Sequence, residues 1–319
     1  MKTMKKLLTL ILVLFLFTGC SGASEDPAED PAEKNFRVGV LQLVQHEALG
    51  AAQQGFEDAL KGLLGDRVSF DEQNASGDAN NCGIIANQFV NDGVDMIFAV
   101  ATPSLQASAT ATADIPIVAT AVTAFKVALG MKDWNGTTGM NITGTSDLAP
   151  LDQQADQITD IFPDAKKVGI FFCSAEANSV FQAEEIEKLL AAKGLETQRF
   201  TFADSNDIAQ VAASACDWAD VVYVPTDNMA ASYASADQFS KPVVAGEEGL
   251  CAKIGCVTIS IAYYDIGFRA GEMAYDILVN GADPASMKVE EVTKTAKKFN
   301  PDLCAKFNVT VPSDYESIS

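Results

Sequence analysis

With 319 residues, 48% of them apolar, the chain carries enough hydrophobic material for one large or two medium domains with buried cores, which excludes disorder as its main state. Its 22 Lys and Arg face 43 Asp and Glu, and the resulting net charge of −21 repels phosphate backbones and anionic lipid headgroups, so no nucleic acid is expected as a partner. Beyond residue 30 no run is long and apolar enough to span a bilayer.

Lys2, Lys5 and Lys6 form a basic start, and Leu7 to Phe17 form an apolar stretch shorter than a spanning helix but suited to the core of a secretory leader. Thr18-Gly19-Cys20 then resembles a bacterial lipobox, in which a small residue precedes the cysteine that becomes the lipid-bearing N-terminus; Phe17 stands where a leucine is usual. Residues 1–19 read as a lipoprotein leader and Cys20 as the lipidation site. Residues 20–35, rich in Ala, Ser, Pro, Asp and Glu, read as an acidic flexible tether without the apolar side chains to pack. An ordinary secretory leader cut nearby is the alternative. Two acyl chains on Cys20 would attach the protein to the membrane through lipid alone and leave the folded body outside the cytoplasm.

From Phe36 onward, short β-branched runs alternate with longer helical patterns, the signature of βαβ units and a mostly parallel sheet. Residues 36–43 read as a strand, and 47–64 as a helix because Leu49, Ala52, Phe56, Ala59, Leu60 and Leu63 recur at helical spacing. Strands at 68–73, 96–101 and 117–121 alternate with helices at 80–92 and 103–113, the latter opened by Pro103, whose missing N–H costs nothing in a first turn. After a strand at 141–146 the series restarts with a helix over 151–162 stopped by Pro163, a strand at 167–173, a helix at 179–193 and a strand at 196–202. A helix at 207–215 behind the Ser205-Asn206 cap signal, a strand at 221–224, a short helix from Met229 and a strand at 243–245 follow. The remainder, a strand at 257–261, a helix at 264–279 and a strand at 289–292, is too short for a third domain and must complete the other two. The expected fold class is α/β: two Rossmann-like lobes with parallel sheets joined by a three-stranded hinge. Residues 36–146 plus 262–285 form the first lobe and 147–261 plus 286–319 the second, with crossings near Ser146, Ala262 and Ala285.

Six cysteines follow Cys20, and export would make disulfides chemically permissible. Cys251 and Cys256, separated across Gly255, are the expected local pair, while Cys173 and Cys216 sit in apolar patterns and read as buried thiols. No Cys-x-x-Cys occurs and the single histidine, His46, is far in sequence from every cysteine, so no metal site is expected. The chain has no Gly-x-Ser-x-Gly, no P-loop and no Gly-x-Gly-x-x-Gly after a strand, and Glu247 and Glu248, adjacent in an extended segment, point to opposite sides. Neither an enzyme nor a cofactor is expected.

Parallel sheets collect ligands at the carboxyl ends of their strands, where helix N-termini present free N–H groups. In the first half those ends carry Gln45, His46 and Glu47, then Thr102, Pro103 and Ser104, then Thr120, Ala121 and Val122: mainly hydroxyls and backbone donors. In the second half they carry Ser174 to Asn178, Thr226, Asp227 and Asn228, and Gly246 to Glu248, which add carboxylates and amides. A zwitterion needs donors for its carboxylate and a carboxylate for its ammonium, and the two rims supply one of each.

Several of these segments carry a resemblance. Val38 to Glu47, Ala101-Thr102-Pro103, Pro116 with Thr120-Ala121-Val122-Thr123, Asn141 to Asp147, Glu176 to Val180, Tyr223 to Asn228 and Gly271-Glu272-Met273-Ala274 look like the TrpX-type substrate-binding proteins of ABC transporters, over about Phe36 to Pro312. That resemblance implies the type I periplasmic-binding-protein fold, a monomer, and an aromatic amino acid held between the lobes and delivered to an ABC permease with its cytoplasmic ATPase. It also places Asp227 at the cleft as the ammonium partner, against its ordinary reading as the N-cap of the short helix from Met229. His46 becomes a ligand contact instead of a solvent-facing loop residue; Thr102 and Ser104 offer helix-start N–H groups, and the backbone of Thr120, Ala121 and Val122 touches the ligand. Asn178, Thr226 and Asn228 face the same cleft, while Ser146, Tyr263 and Asp265 lie at hinge crossings, each also readable as a cap, a turn or aromatic packing. Three departures bear on the pocket wall: Leu43-Val44-Gln45-His46-Glu47 stands for the usual Tyr-Val-Glu-His-Pro, Phe125-Lys126 for Asp-Pro, and Cys251 to Cys256 occupies an ordinarily Gly-rich stretch. A receptor for another small metabolite (a branched-chain amino acid, nucleoside or sugar) and a sensory module without transport are the alternatives.

Overall fold

The computed structural model describes residues 34–291 and 294–318; the leader, Cys20 and most of the tether lie outside the described residues. The first half runs β1 (Phe36–Gln42), α1 (Glu47–Leu64), β2 (Val68–Asn74), α2 (Ala79–Asp92), β3 (Met96–Val100), α3 (Thr102–Ala111), β4 (Ile117–Thr120), a short α4 (Phe125–Ala128) and β5 (Ile142–Ser146). The second runs α5 (Leu151–Ile161), β6 (Lys167–Cys173), α6 (Ala177–Ala192), β7 (Glu196–Phe202), α7 (Ile208–Trp218), β8 (Val221–Val224), α8 (Asn228–Tyr233), β9 (Val243–Ala245), α9 (Glu248–Lys253) and β10 (Val257–Ile261). The chain closes with α10 (Tyr263–Leu278), β11 (Glu290–Glu291), β12 (Thr295–Phe299), α11 (Pro301–Phe307) and β13 (Glu316–Ser317).

The strands form two sheets, ordered β11-β5-β4-β3-β1-β2 and β13-β12-β10-β9-β8-β6-β7. Every pairing is parallel except β10 with β12. Strands buried along their whole length, such as β3, explain why the sequence shows continuous apolar runs in place of alternation. In both halves the order reverses beside the first strand of the unit, between β1 and β3 and between β6 and β8. Such switch points open a crevice at the strands' carboxyl ends. Helix ends follow local chemistry: the Asp78 side chain accepts from Asn80 N to start α2, and Gly93 at φ 65° ends it, its N–H returning to Phe89 and Val90 carbonyls.

The chain passes between the lobes three times. It leaves the first sheet after β5 and returns through Ala262, because α10 packs into the first-lobe core with Ile266, Ala270 and Ala274. The third passage corrects the sequence expectation. Glu290 and Glu291 pair in parallel with Thr145 and Ser146 of β5, so the chain stays in the first sheet past Ala285 and departs only after Glu291. A two-residue acidic edge strand has no hydrophobic alternation to announce its partner. The pieces absent from the sequence reading are α4, α9, β12, α11 and β13, all short or terminal.

Candidate functional site

The crevice between the switch points is lined by residues that end one strand and begin the next helix. His46 stands at the N-cap of α1 in extended backbone geometry but leaves the capping task undone, so its ring is available to reach the second lobe. There its Nε2 lies 3.2 Å from Asn228 Oδ1. Asn228 Nδ2 donates to Glu176 Oε2 at 2.6 Å, which fixes the amide oxygen toward His46 and therefore assigns the ring proton to Nε2. His46 Nδ1 is then a lone-pair acceptor, and it is buried without a hydrogen-bond partner. Burial depresses the ring's pKa from 6.5 to about 4, so the imidazole is neutral at physiological pH.

Asn178 repeats the pattern on the opposite rim. Its Nδ2 donates to Glu176 Oε2 and to the Thr226 carbonyl, both at 3.1 Å, which leaves Oδ1 as an acceptor, again buried and unpartnered. Glu176, which the sequence places at a strand end without giving it a role, anchors both amides. It sits at the N-cap position of its own helix α6 but sends its carboxylate to α8 instead, taking Met229 N at 3.0 Å and Asn228 N at 3.3 Å. Asp227, expected to meet the ligand's ammonium, commits both oxygens to backbone: Oδ1 accepts from Ala230 N at 2.8 Å, capping α8, and Oδ2 accepts from Cys173 N at 2.7 Å, tying β8 to the end of β6. Both carboxyl groups are fully buried and desolvation raises the pKa of each; the neighbouring Asp227 charge pushes that of Glu176 up further, to about 8. Thr226 donates its N–H to Gln182 Oε1 at 3.2 Å, which holds the strand end in place.

On the first lobe's rim, Thr102 opens α3 with its Oγ1 buried and unpartnered, beside first-turn N–H groups that a helix does not pair internally. Ala101 and Ala121, closing β3 and β4, adopt φ of 85° and 54°, conformations that cost a residue with a Cβ roughly 1–3 kcal/mol and that cluster at ligand sites. Other hydroxyls turn away from the crevice. Ser104 Oγ lies 3.8 Å from Cys82 Sγ inside the lobe, so only its N–H belongs to the rim, and Thr120 Oγ1 pairs with Thr145 Oγ1 at 2.8 Å. Val122 is fully buried behind Ala121.

At the hinge, Ser146 Oγ donates to the Thr123 carbonyl at 3.0 Å and accepts from Leu148 N at 3.2 Å, shaping the turn into the second lobe. Asp147 accepts from Thr123 Oγ1 at 2.9 Å and from Tyr263 OH at 3.0 Å, so that one carboxylate ties the outgoing crossing to the returning one. Glu247 caps α9 through Leu250 N and Gly249 N beside this group. Burial, reinforced by the nearby Glu47 and Asp147 charges, lifts its carboxyl to about 7. Among the described residues, no Lys or Arg forms an ion pair with Asp147, Glu176, Asp227 or Glu247. Asp265, in contrast, is exposed on the first turn of α10 and is not brought to the cleft. Beside Thr123 and Ser146 a cavity of about 220 Å³ opens between the lobes, walled by Phe125 and Trp134 from one side and Leu148 and Phe181 from the other.

The cysteine expectation fails. Cys251 and Cys256 are both free and buried, and Cys251 Sγ donates to the Gly255 carbonyl at 3.5 Å, within its own turn.

Comparison with known proteins settles the family. The family model for ABC transporter substrate binding proteins matches residues 37–317. The chain belongs to the ABC transporter substrate-binding proteins. A relative in Clostridioides difficile (strain R20291), a tyrosine-binding protein, is 33% identical over 93% of this chain and 91% of its own length. Among solved structures, the ABC domain from Streptococcus pneumonia in complex with L-Trp is 29% identical, covers 90% of this chain and 100% of that one, and superposes with a TM-score of 0.85. The ligand-free, open structure of a substrate-binding protein with adhesive properties from Clostridium difficile is more similar in sequence, at 33% over 89% of this chain and 99% of that one, yet superposes at only 0.67. This substrate-binding protein therefore superposes better on the tryptophan complex than on the open relative.

Proposed function

We propose that this protein is the extracytoplasmic, lipid-anchored receptor of an ABC importer and binds an aromatic amino acid, tyrosine, tryptophan or phenylalanine, in the crevice between its lobes. One observation carries the reading: His46 Nδ1 and Asn178 Oδ1 are buried acceptors without donors, close to carboxylates that no basic side chain neutralises. An unmade hydrogen bond at a buried acceptor costs about 1–3 kcal/mol, so the closed crevice favours an occupant that brings N–H donors and positive charge. An α-ammonium brings both. The ligand's carboxylate is assigned to the start of α3, where the Thr102 hydroxyl and the first-turn N–H groups favour an anion. The ring is assigned to the cavity walled by Phe125, Trp134, Leu148 and Phe181. On this assignment Asp227 acts on the ligand through its charge, while its hydrogen bonds hold α8 and the β6 end.

The names of the relatives support an aromatic ligand, one being a tyrosine-binding protein and the other a complex with L-Trp. Burying a ring removes roughly 150–250 Å² from water, worth about 4–6 kcal/mol, so alanine and glycine should bind on the order of a thousandfold more weakly than the preferred ligand. Calorimetry of the purified protein against the twenty amino acids tests this: at least one aromatic amino acid binds in the micromolar range, and the reading falls if none binds more tightly than millimolar. The anchor is tested separately. Metabolic labelling with an alkyne fatty acid should mark the full-length chain and not the Cys20→Ser variant; label on neither rejects lipidation while leaving ligand binding intact.

A further inference from the structure

Cys256 and Cys304 meet although 48 residues separate them. Cys256 directly precedes β10, and Cys304 lies in the middle of α11. The Cys304 thiol donates to the Cys256 carbonyl at 3.3 Å, which brings its sulfur onto the backbone of Cys256. The same carbonyl receives Asn300 N at 2.9 Å, and the Asn300 amide binds the Cys251 and Ala252 carbonyls at the end of α9. The docking of α11 on the second lobe is therefore centred on Cys256. Both cysteines are buried members of one apolar core cluster of the second lobe, which also holds Val244, Val257 and Leu303. Cys251, the third thiol in the region, spends its hydrogen on Gly255.

We propose that Cys256 and Cys304 form a disulfide when the chain folds outside the reducing cytoplasm, fastening α11 and the strand that precedes it to β10. The oxidant belongs to the class of dithiol–disulfide exchange partners or small-molecule disulfides. In the first step a cysteine thiolate attacks one sulfur of the oxidant, a mixed disulfide forms and one oxidant thiolate leaves. In the second step the other cysteine thiolate attacks the protein sulfur of that mixed disulfide and expels the second oxidant thiolate. One protein S–S bond replaces two S–H bonds, the oxidant's disulfide is reduced to two thiols, and the two electrons end on them. A bridge there closes a long loop and constrains the unfolded chain.

The test uses the mature chain, refolded in a mixture of oxidised and reduced glutathione, alkylated in denaturant without reductant and digested for peptide mass mapping. The expected result is one linked pair, the peptides of Cys256 and Cys304, present in wild type and in Cys251→Ser alike, with alkylation of Cys82, Cys173, Cys216 and Cys251. Reductant should lower the thermal midpoint of the wild type by several degrees and leave Cys304→Ser unmoved. Alkylation of all six thiols, a bridge that includes Cys251, or a midpoint indifferent to reductant overturns the proposal. Should Cys304→Ser fail to fold, the wild-type map still decides it. Ligand binding is measured by neither readout, so the proposed function stands or falls independently.

Discussion

At the scale of single residues, the crevice is defined by which polar atoms have spent their hydrogen bonds. Asp227 and Glu176 have spent theirs on backbone N–H groups, whereas His46 and Asn178 each keep one acceptor in reserve. His46→Ala should weaken binding of the preferred amino acid about tenfold, since it removes one acceptor and the contact to Asn228; calorimetry showing unchanged affinity would take His46 out of the site. Asp227→Ala is expected to fail differently. It strands two buried N–H groups, so the thermal midpoint of the ligand-free protein drops along with affinity. Glu247 supplies a pH test. Its folded-state pKa of about 7 exceeds the unfolded value of 4.5, so between these values the folded state holds a proton that the unfolded state has lost, and the associated stability declines as pH rises through that window. His46 works in the opposite sense: its lowered pKa, about 4 against 6.5, removes stability as pH falls through that interval. Because the two overlap, the comparison is with Glu247→Gln: urea midpoints should favour the variant, relative to wild type, more strongly at pH 8 than at pH 5.

At the scale of elements, the first lobe depends on how closely α1 and α10 approach. A Cβ on Gly267 would lie 1.8 Å from the Ala52 carbonyl oxygen, and one on Gly271 would lie 2.6 Å from that of Phe56. The sequence motif containing Gly271 is thus a packing requirement on a helix that carries the chain back from the second lobe. Gly267→Ala should cost about 1–3 kcal/mol or more in chemical denaturation despite alanine's better helix propensity, because backbone must move to admit it. Gly62→Ala is the contrasting case. It sits exposed within α1 with nothing inside 4 Å of its Cβ position, so the same substitution should stabilise by about 0.5–1 kcal/mol. Failure of that opposition would mean the helix pair is more loosely packed than its carbonyl distances state.

At the scale of the whole molecule, two kinds of contact join the lobes: His46 with Asn228 across the crevice, and Thr123 and Tyr263 with Asp147 at the hinge. Opening must break the first, whereas Tyr263 and Asp147 lie at the hinge crossings themselves. Small-angle scattering should therefore show the radius of gyration of ligand-stripped protein falling when the preferred amino acid is added, and His46→Ala should need more ligand to reach the compact state. A profile indifferent to ligand would show that binding and closure are uncoupled.

The sequence by itself determined the layering, because a parallel sheet buried on both faces writes its strands as apolar runs: β6, β8, β9 and β10 start and end where those runs do. It also located the rims, since strand ends and helix starts carry their cap chemistry locally, as at Thr102, Asn178 and Asp227. What each rim side chain does was decided only in three dimensions. Whether Asp227 faces a ligand or a backbone N–H depends on Cys173, 54 residues away, and the free acceptor on His46 follows from an amide 182 residues distant that is itself oriented by Glu176. The same holds for the acidic edge strand β11 and for the meeting of Cys256 with Cys304. Periodicity reports how a segment packs against its own sheet; hydrogen-bond partners at a cleft are chosen by the folding of distant segments into register, and no local pattern encodes that choice.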